Sequence, residues 1–183
     1  MSTLNNKNDN QLIQIFLPII QNGLVADGFT NVITKQSNQP TQQGINTSPT
    51  VYFFKVSSRR YGFLGRYDKW NSTQMTHTEN QYMEATFQIT ALVLQNPITP
   101  NQYTASDLVY EVSSIMQSDN TRDILNESGI GILRVTDLLN PYFLDDRDQF
   151  EASPSFDFTL TYLNSRQSVS PIITNYDYNI IPI

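Results

Sequence analysis

Apolar side chains first follow a regular pattern near Leu12. From there to Ile20 they recur at i, i+3, i+4, i+7 and i+8, which is one stripe along a helix. Pro18 should kink or limit this helix, because proline has no backbone N–H to donate, and Gly23 is predicted to end it. The pattern therefore predicts a first helix over residues 12–23.

A second helical stripe begins at Leu108 and recurs at helical spacing as far as Met116. Thr104 or Ser106 is predicted to cap its N-terminus, since both side chains can accept a hydrogen bond from a free backbone N–H. A short third helix is predicted over residues 120–126, capped by Asp119.

The period changes to two elsewhere in the chain. Residues 83–93 alternate apolar with polar side chains, which predicts a strand with one buried face. Residues 51–56 and 61–67 are rich in aromatic and β-branched types, and the polar run 57–60 between them predicts a hairpin turn. Two further strands are predicted over residues 130–136 and 156–162.

These elements predict an α+β fold: a single domain with an antiparallel or mixed β-sheet and helices on one face. Residues 1–165 form the predicted domain. Within it, residues 35–50 hold mainly Gln, Asn, Ser, Thr, Pro and Gly, which favours a mobile loop. The tail of residues 166–183 is predicted to be an extended C-terminal arm.

The composition favours a folded assembly subunit. Aromatic residues make up 11% of the 183, which argues against disorder, and charged residues only 15%. An ordinary soluble domain has about 25% charged residues, so this surface can pack against copies of itself without burying many ions. The net charge of −6 argues against nucleic-acid binding as the purpose of the protein.

No cysteine is present, which excludes a disulfide framework and a thiolate metal site. The best candidate for a signal peptide, residues 12–20, is interrupted by Gln14 and Pro18 and is too short to span a bilayer. The sequence is therefore expected to be that of a soluble protein assembled in a host cytoplasm, with no membrane partner.

Catalytic chemistry has one candidate residue. His77 is the sole histidine, so a Ser-His-Asp triad would have to use it, but no nucleophile motif lies nearby in the sequence. A surface histidine is the favoured interpretation. The chain has no glycine-rich phosphate loop either, so no catalytic residues and no cofactor are predicted.

One dense acidic cluster comprises Asp145, Asp146, Asp148 and Glu151. Such a run could bind Ca²⁺ or Mg²⁺, but it lacks the periodicity and the glycine of a calcium loop, and Arg147 within it supplies a partner. A solvated acidic loop is favoured, with no metal.

Basic and aromatic residues concentrate near the predicted hairpin. Such a mixture resembles a stacking surface for nucleic acid, but a basic turn with core aromatics is the simpler interpretation. The acidic balance of the chain favours protein contacts over DNA contacts. The candidate intersubunit residues are Arg59, Arg60, Arg66, Trp70, Tyr142 and Phe143.

Several short motifs occur in a fixed order between residues 50 and 163. They are Tyr52-Phe53-Phe54-Lys55, Arg59-Arg60-Tyr61-Gly62, Gly65-Arg66, Thr78-Glu79, Met83 to Gln88, Ser106-Asp107-Leu108, Gln117-Ser118-Asp119, Gly131 to Arg134, Asn140 to Phe143, Asp145 to Asp148 and Phe150 to Asp157. None of these motifs is a chemical signature, but their order and number resemble those of the neck terminator, or gateway, family of contractile-tailed phages.

The resemblance implies a small α+β subunit of a six-fold homo-oligomeric ring. Such a ring caps the tail tube, ends tail polymerisation and joins tail to head while genomic DNA passes through its lumen. The implied partners are the tail tube, sheath proteins, and head-completion or collar proteins. Another head-tail joining ring, such as a head-completion or adaptor protein, is the nearest alternative, and a small hydrolase or a nucleic-acid-binding module are alternatives of another class.

Overall fold

A computed structural model of the protein describes residues 3–5, 7–36, 48–94, 98, 102–144 and 150–171. Within these ranges the chain forms three helices and eight strands. The helices are α1 (Asp9–Ala26), α2 (Ala105–Gln117) and α3 (Asp119–Glu127). The strands are β1 (Thr3–Asn5), β2 (Ile33–Gln36), β3 (Thr50–Trp70), β4 (Gln74–Leu92), β5 (Ile130–Val135), β6 (Tyr142–Leu144), β7 (Phe150–Ala152) and β8 (Ser155–Pro171).

Six strands form one mixed sheet in the order β1-β8-β4-β3-β2, and β5 also pairs with β8. The β2–β3 pair is parallel and the other pairs are antiparallel. Strands β6 and β7 form a separate antiparallel pair. The predicted α+β fold, with a single domain and a mixed sheet, is confirmed. No helix in the described ranges is long and apolar enough to cross a bilayer.

Phe16 of α1 lies at the centre of the core. Its ring meets those of Phe53, Phe87 and Phe158 edge-on, with centroid distances of 5.1, 4.8 and 5.4 Å. These three rings come from β3, β4 and β8, so one helical side chain joins the three central strands. Phe87 and Ile89 are fully buried, which confirms the face predicted from the alternation in residues 83–93.

Helix α1 is longer than predicted at both ends. Asn8 caps it. The backbone N–H of Asn8 donates to the side-chain oxygen of Gln11, and the backbone N–H of Gln11 donates to the side-chain oxygen of Asn8, both at 2.9 Å. The prediction that Gly23 ends the helix was wrong. A Cβ at position 23 would lie 2.7 Å from Cγ2 of Ile115 in α2, so glycine is present because the two helices approach closely there.

Of the two residues predicted to cap helix α2, Thr104 is the N-cap, and Ser106 lies in the first turn. The Thr104 hydroxyl and backbone N–H both donate to the Asp107 carboxylate, which lowers the pKa of Asp107. The cap predicted for α3 was wrong by one position: Ser118 caps this helix, and Asp119 is its first residue.

The predicted turn at residues 57–60 does not exist. Strand β3 runs without interruption from Thr50 to Trp70, and the turn to β4 lies at residues 71–73. There Asn71 accepts hydrogen bonds through its side chain from the backbone N–H groups of Thr73 and Gln74, and Ser72 takes a positive φ of 76°. Beyond the core both faces of β3 are exposed, so apolar alternation disappears although the strand continues.

Two other segments differ from prediction in part. The predicted loop of residues 35–50 is shorter than expected. Residues 35 and 36 end β2 and pair in parallel with β3, and Thr50 is the first residue of β3. Residues 37–47 lie outside the described residues. Strand β8 passes the predicted domain boundary at residue 165 and stays paired with β4 as far as Pro171. The predicted extended arm therefore stays a prediction for residues 172–183, which are outside the described ranges.

We expect Phe87→Ala to lower the free energy of unfolding by about 3–5 kcal/mol, because it removes a ring packed against Phe16 and Phe158 and leaves a cavity. Tyr82→Ala, on an exposed position of the same strand, should cost less than about 1 kcal/mol. Urea unfolding followed by circular dichroism measures both. Equal losses for the two variants would mean that the buried face has been misidentified.

Candidate functional site

The three long strands continue past the helices as a projecting β-arm, which we define as residues 57–84 and 163–171. Every residue of β3 from Val56 to Trp70 is exposed, in contrast to the buried start of the strand. At about 3.3 Å per residue the arm extends roughly 40 Å beyond the core. Its three long strands are joined by β1, which pairs with β8 at residues 165–167.

Two bulges shape the edge strand of the arm. The register between β3 and β4 shifts between Lys55 and Ser57 and again between Tyr61 and Gly65. At the second bulge the side-chain amide of Gln81 donates to the carbonyl oxygen of Tyr61 at 2.8 Å. Phe63, in the middle of this bulge, is 99% exposed. Bulges and charged residues discourage edge-to-edge pairing, so the faces of the arm are its more accessible contact surfaces.

One face of the arm is apolar and aromatic. Tyr61 lies directly opposite Tyr82, and Tyr82 lies directly opposite Leu163, so the three side chains form a row across β3, β4 and β8. The two tyrosines are 60% and 58% exposed. Further along the same face lie two more exposed apolar residues. We call the set the aromatic face: Tyr61, Tyr67, Tyr82, Leu163 and Val169.

The same sheet face becomes polar where the arm meets the body. Glu84 is only 2% exposed, and its carboxylate pairs with the guanidinium of Arg59 directly opposite on β3. Next to this pair lies a cavity of about 450 Å³. Hydrogen bonds between Thr86 and Thr159 at 3.0 Å, and between Gln88 and Asp157 at 2.9 Å, continue the polar surface. Paired groups of this kind can orient a protein partner by hydrogen bonding.

Near the end of the arm, His77 lies between two side chains that complete a Ser-His-Asp arrangement. Its Nδ1 is 2.8 Å from Oδ1 of Asp68, and its Nε2 is 3.1 Å from Oγ of Ser170. The three residues come from β3, β4 and β8. The distances are those of a nucleophile, a base and an orienting carboxylate.

The surroundings of His77 differ from those of a catalytic triad. The side chains of Asp68 and His77 are 58% and 39% exposed, so water screens the carboxylate that would stabilise an imidazolium. The cavities of about 450 and 420 Å³ on the described chain lie elsewhere. A flat, wet strand surface binds substrate poorly, so the arrangement is best explained as a cross-strand hydrogen-bond network.

Four of the predicted intersubunit residues lie together on the arm. Arg59, Arg60, Arg66 and Trp70 are all exposed on β3, although the two arginines expected in a turn are in mid-strand. Arg66 pairs with Glu79 at 3.3 Å. Their intersubunit role stays a prediction.

Tyr142, Phe143 and Glu151, which were also predicted as candidate residues, lie in the small β6–β7 pair. Tyr142 and Phe143 belong to β6, and the backbone of Phe143 lies opposite Glu151 of β7. Asp145, Asp146 and Asp148 lie outside the described residues. Within the described ranges no group of three or more His, Asp or Glu side chains is arranged to hold a metal ion.

The three helices α1, α2 and α3 form a layer, the helical layer, that is rich in acidic residues. Two of its carboxyl groups lie close together. Glu111 of α2 lies beside Asp27 at the end of α1, and burial together with this neighbour raises the pKa of Glu111. Neither residue pairs with a lysine or arginine of the described chain. This part of the surface therefore carries uncompensated negative charge.

Sequence reasoning did not single out Phe63, Tyr82 or Leu163. Their common feature is exposure on the arm, and it depends on the register of three strands far apart in the sequence. The one local signal was the Tyr61-Gly62-Phe63 run, in which a glycine with a φ of 69° interrupts an aromatic strand.

A family model described as the E217 gateway protein gp29 matches residues 11–172 of the chain. The matched range begins in α1 and ends just past β8, so it includes the helical layer and the whole β-arm. No curated protein matches the chain significantly.

We expect a fluorophosphonate probe, which labels activated serine nucleophiles, to leave Ser170 unmodified, because the His77 network is open to water. Mass spectrometry of the treated protein measures this, with a serine hydrolase as positive control. Labelling of Ser170 that disappears in His77→Ala would contradict the structural interpretation and favour the hydrolase alternative.

Proposed function

Because the chain belongs to the family of the E217 gateway protein gp29, we propose that it forms a ring in the phage neck, caps the tail tube there and joins tail to head. Family membership supports a structural role in the neck. The further steps of ending tube polymerisation and letting DNA pass belong to the same proposal. The observation that carries it is the family match over residues 11–172.

The shape of the subunit is suited to a ring. A ring closes when one surface of each subunit contacts a different surface of the next, so a ring subunit needs two dissimilar contact surfaces. This chain has them: a projecting β-arm with an aromatic face, and a compact body with an acidic helical layer. Few residues are charged, at 15% of the chain, which reduces the cost of burying such surfaces.

The charge of the chain is suited to a channel through which DNA moves. With 17 acidic and 11 basic residues, the chain carries a net charge of −6, which opposes the binding of phosphate groups. A channel lined by the neutral or acidic part of the ring lets DNA slide without binding it. The proposed partners are other copies of this chain, the tail tube and sheath, and head-completion or collar proteins.

The proposed role requires no catalysis, and the proposal includes no enzyme activity and no cofactor. Structural proteins of this kind act through shape, contact area and charge. The tests below therefore examine position and binding rather than turnover.

We expect gold-labelled antibody against this protein to mark the junction between head and tail in electron micrographs of virions. Tails assembled without the protein should vary in length and fail to attach to heads. An antibody against a major capsid protein provides the positional control.

Label on the baseplate or the capsid would contradict the proposal. Tails of normal length that nevertheless fail to join heads would favour a head-completion or adaptor ring instead.

We also expect the purified protein not to retard duplex DNA in a gel at physiological salt, because its net charge is negative. Tight retardation with a steep dependence on salt would favour a nucleic-acid-binding module. The variant Arg60→Glu with Lys69→Glu would then identify the arm as the binding surface if it abolished the retardation.

A further inference from the structure

The aromatic face is exposed in the part of the chain that the structure describes. Tyr61, Tyr82 and Leu163 form a row on the side of the sheet opposite the helices. A small sheet usually needs an apolar face or packing against another element to be stable. Aromatic side chains exposed side by side on such a sheet are typical of a protein–protein interface.

Charge is divided unevenly between the arm and the body. The arm holds five basic and three acidic residues, a net charge of +2. The other residues include six basic and fourteen acidic ones, a net charge of −8. The basic residues of the arm are Arg59, Arg60, Arg66, Lys69 and Arg166.

This division determines which self-contact is favourable. Two arms placed together would juxtapose like charges, as would two helical layers, whereas an arm on a helical layer brings opposite charges together. Such a contact joins different surfaces of two copies, so it is heterologous and can close into a ring. The acidic side is concentrated in residues 105–127, with five acidic residues and one basic residue.

The helical layer offers a binding surface for the arm. On the exposed side of α2, a cavity of about 420 Å³ is lined by Tyr110, Ser114, Gln117 and residues 135–138. Asp137 belongs to this lining. Glu111, which lies beside Asp27, follows Tyr110 in the sequence. None of these three carboxyl groups pairs with a lysine or arginine of the described residues.

We infer that the β-arm of one subunit lies across the helical layer of the next, so that the aromatic face is covered by a second copy of this chain. The inference rests on the ring proposed above and specifies its contact. Lys69, opposite Thr76 on the same side of the sheet as Tyr67 and Tyr82, supplies charge to Glu111 and its acidic neighbours, while the tyrosines supply apolar contact area. Lys69 has no ion-pair partner within the described chain.

Because the chain has no cysteine, engineered cysteines can test this contact directly. Tyr67→Cys places a cysteine on the aromatic face, and Ser114→Cys places one in the cavity beside α2. After treatment of assembled tails with a bismaleimide, the double variant should give a ladder of cross-linked copies beyond the dimer. Each single variant should stay monomeric, because its cysteine does not meet that of a second copy.

A dimer from Tyr67→Cys alone would show arm-to-arm contact and overturn the inference. Cross-links from position 67 to a tube or head protein would overturn it too, because another partner would then cover the face. Negative-stain images of the same tails keep the two proposals apart. Rings present at the neck without a ladder would contradict the contact alone, and necks without rings would contradict the proposed function.

A charge exchange provides a second test by complementation of a phage that lacks the protein. Lys69→Glu should lower the yield of joined virions by about tenfold or more, since opposed charges become like charges at the contact. Glu111→Lys with Asp137→Lys should have a similar effect. All three changes together should recover most of the yield.

Lys35→Glu on β2, outside both surfaces, is the matched control and should leave the yield unchanged. Thermal unfolding of each variant identifies any that fail to fold. Folded variants with normal yields, or a triple variant no better than Lys69→Glu or the acidic pair alone, would overturn the inference.

Discussion

The pairing of β4 on both of its edges is the constraint on which the rest of the structure depends. Strand β3 pairs with it from Leu92 to Met75, and β8 pairs with it from Thr90 to Gln74. At the end near Leu92 this pairing aligns Phe53, Phe87 and Phe158 beneath α1. At the other end the same ladder aligns Tyr61, Tyr82 and Leu163, with no helix above them. One set of hydrogen bonds therefore builds both the core and the surface proposed to bind a neighbour.

The first bulge decides which side chains lie on the aromatic face. Before it, Phe53 and Lys55 share the core side of the sheet with Phe87. The extra residue at Val56 shifts the alternation by one position, so that Tyr61 and Tyr67 lie on the side opposite the core. Without this shift the tyrosines would point to the side on which the helices pack. The sheet can thus present an apolar surface on one side near the body and on the other side along the arm.

The sequence predicted those parts of the fold in which burial imposes a period. The helical stripe after Leu12, the alternation around Phe87 and the cap at Thr104 were all recognised correctly, because one face of each element meets the core. The arm was not, because a sheet exposed on both faces loses its alternation. The polar run at Arg59 was mistaken for a turn, and the real turn at Asn71 contains neither glycine nor proline.

The candidate contact residues divide in the same way, into those that the sequence predicted and those that it did not. Arg59, Arg60, Arg66 and Trp70 could be selected by residue type, and they do lie together on one strand. Residue type could not select the row from Tyr61 to Leu163 or the network from Asp68 through His77 to Ser170. Each depends on the register of strands that lie far apart in the sequence. Local composition predicted contact residues on β3, whereas the geometry of the proposed surface depends on long-range pairing.

The order in which the strands occur along the chain also matters during synthesis. Strand β4 emerges from the ribosome with β3 as its hairpin partner, but β8 ends about 80 residues later, which at roughly 5–20 residues per second is a delay of about 4–16 s. Throughout that time β4 has one long unpaired edge beside exposed tyrosines, the kind of surface on which nascent chains aggregate. The same long sheet that gives the finished subunit its reach therefore favours aggregation while the chain is being made.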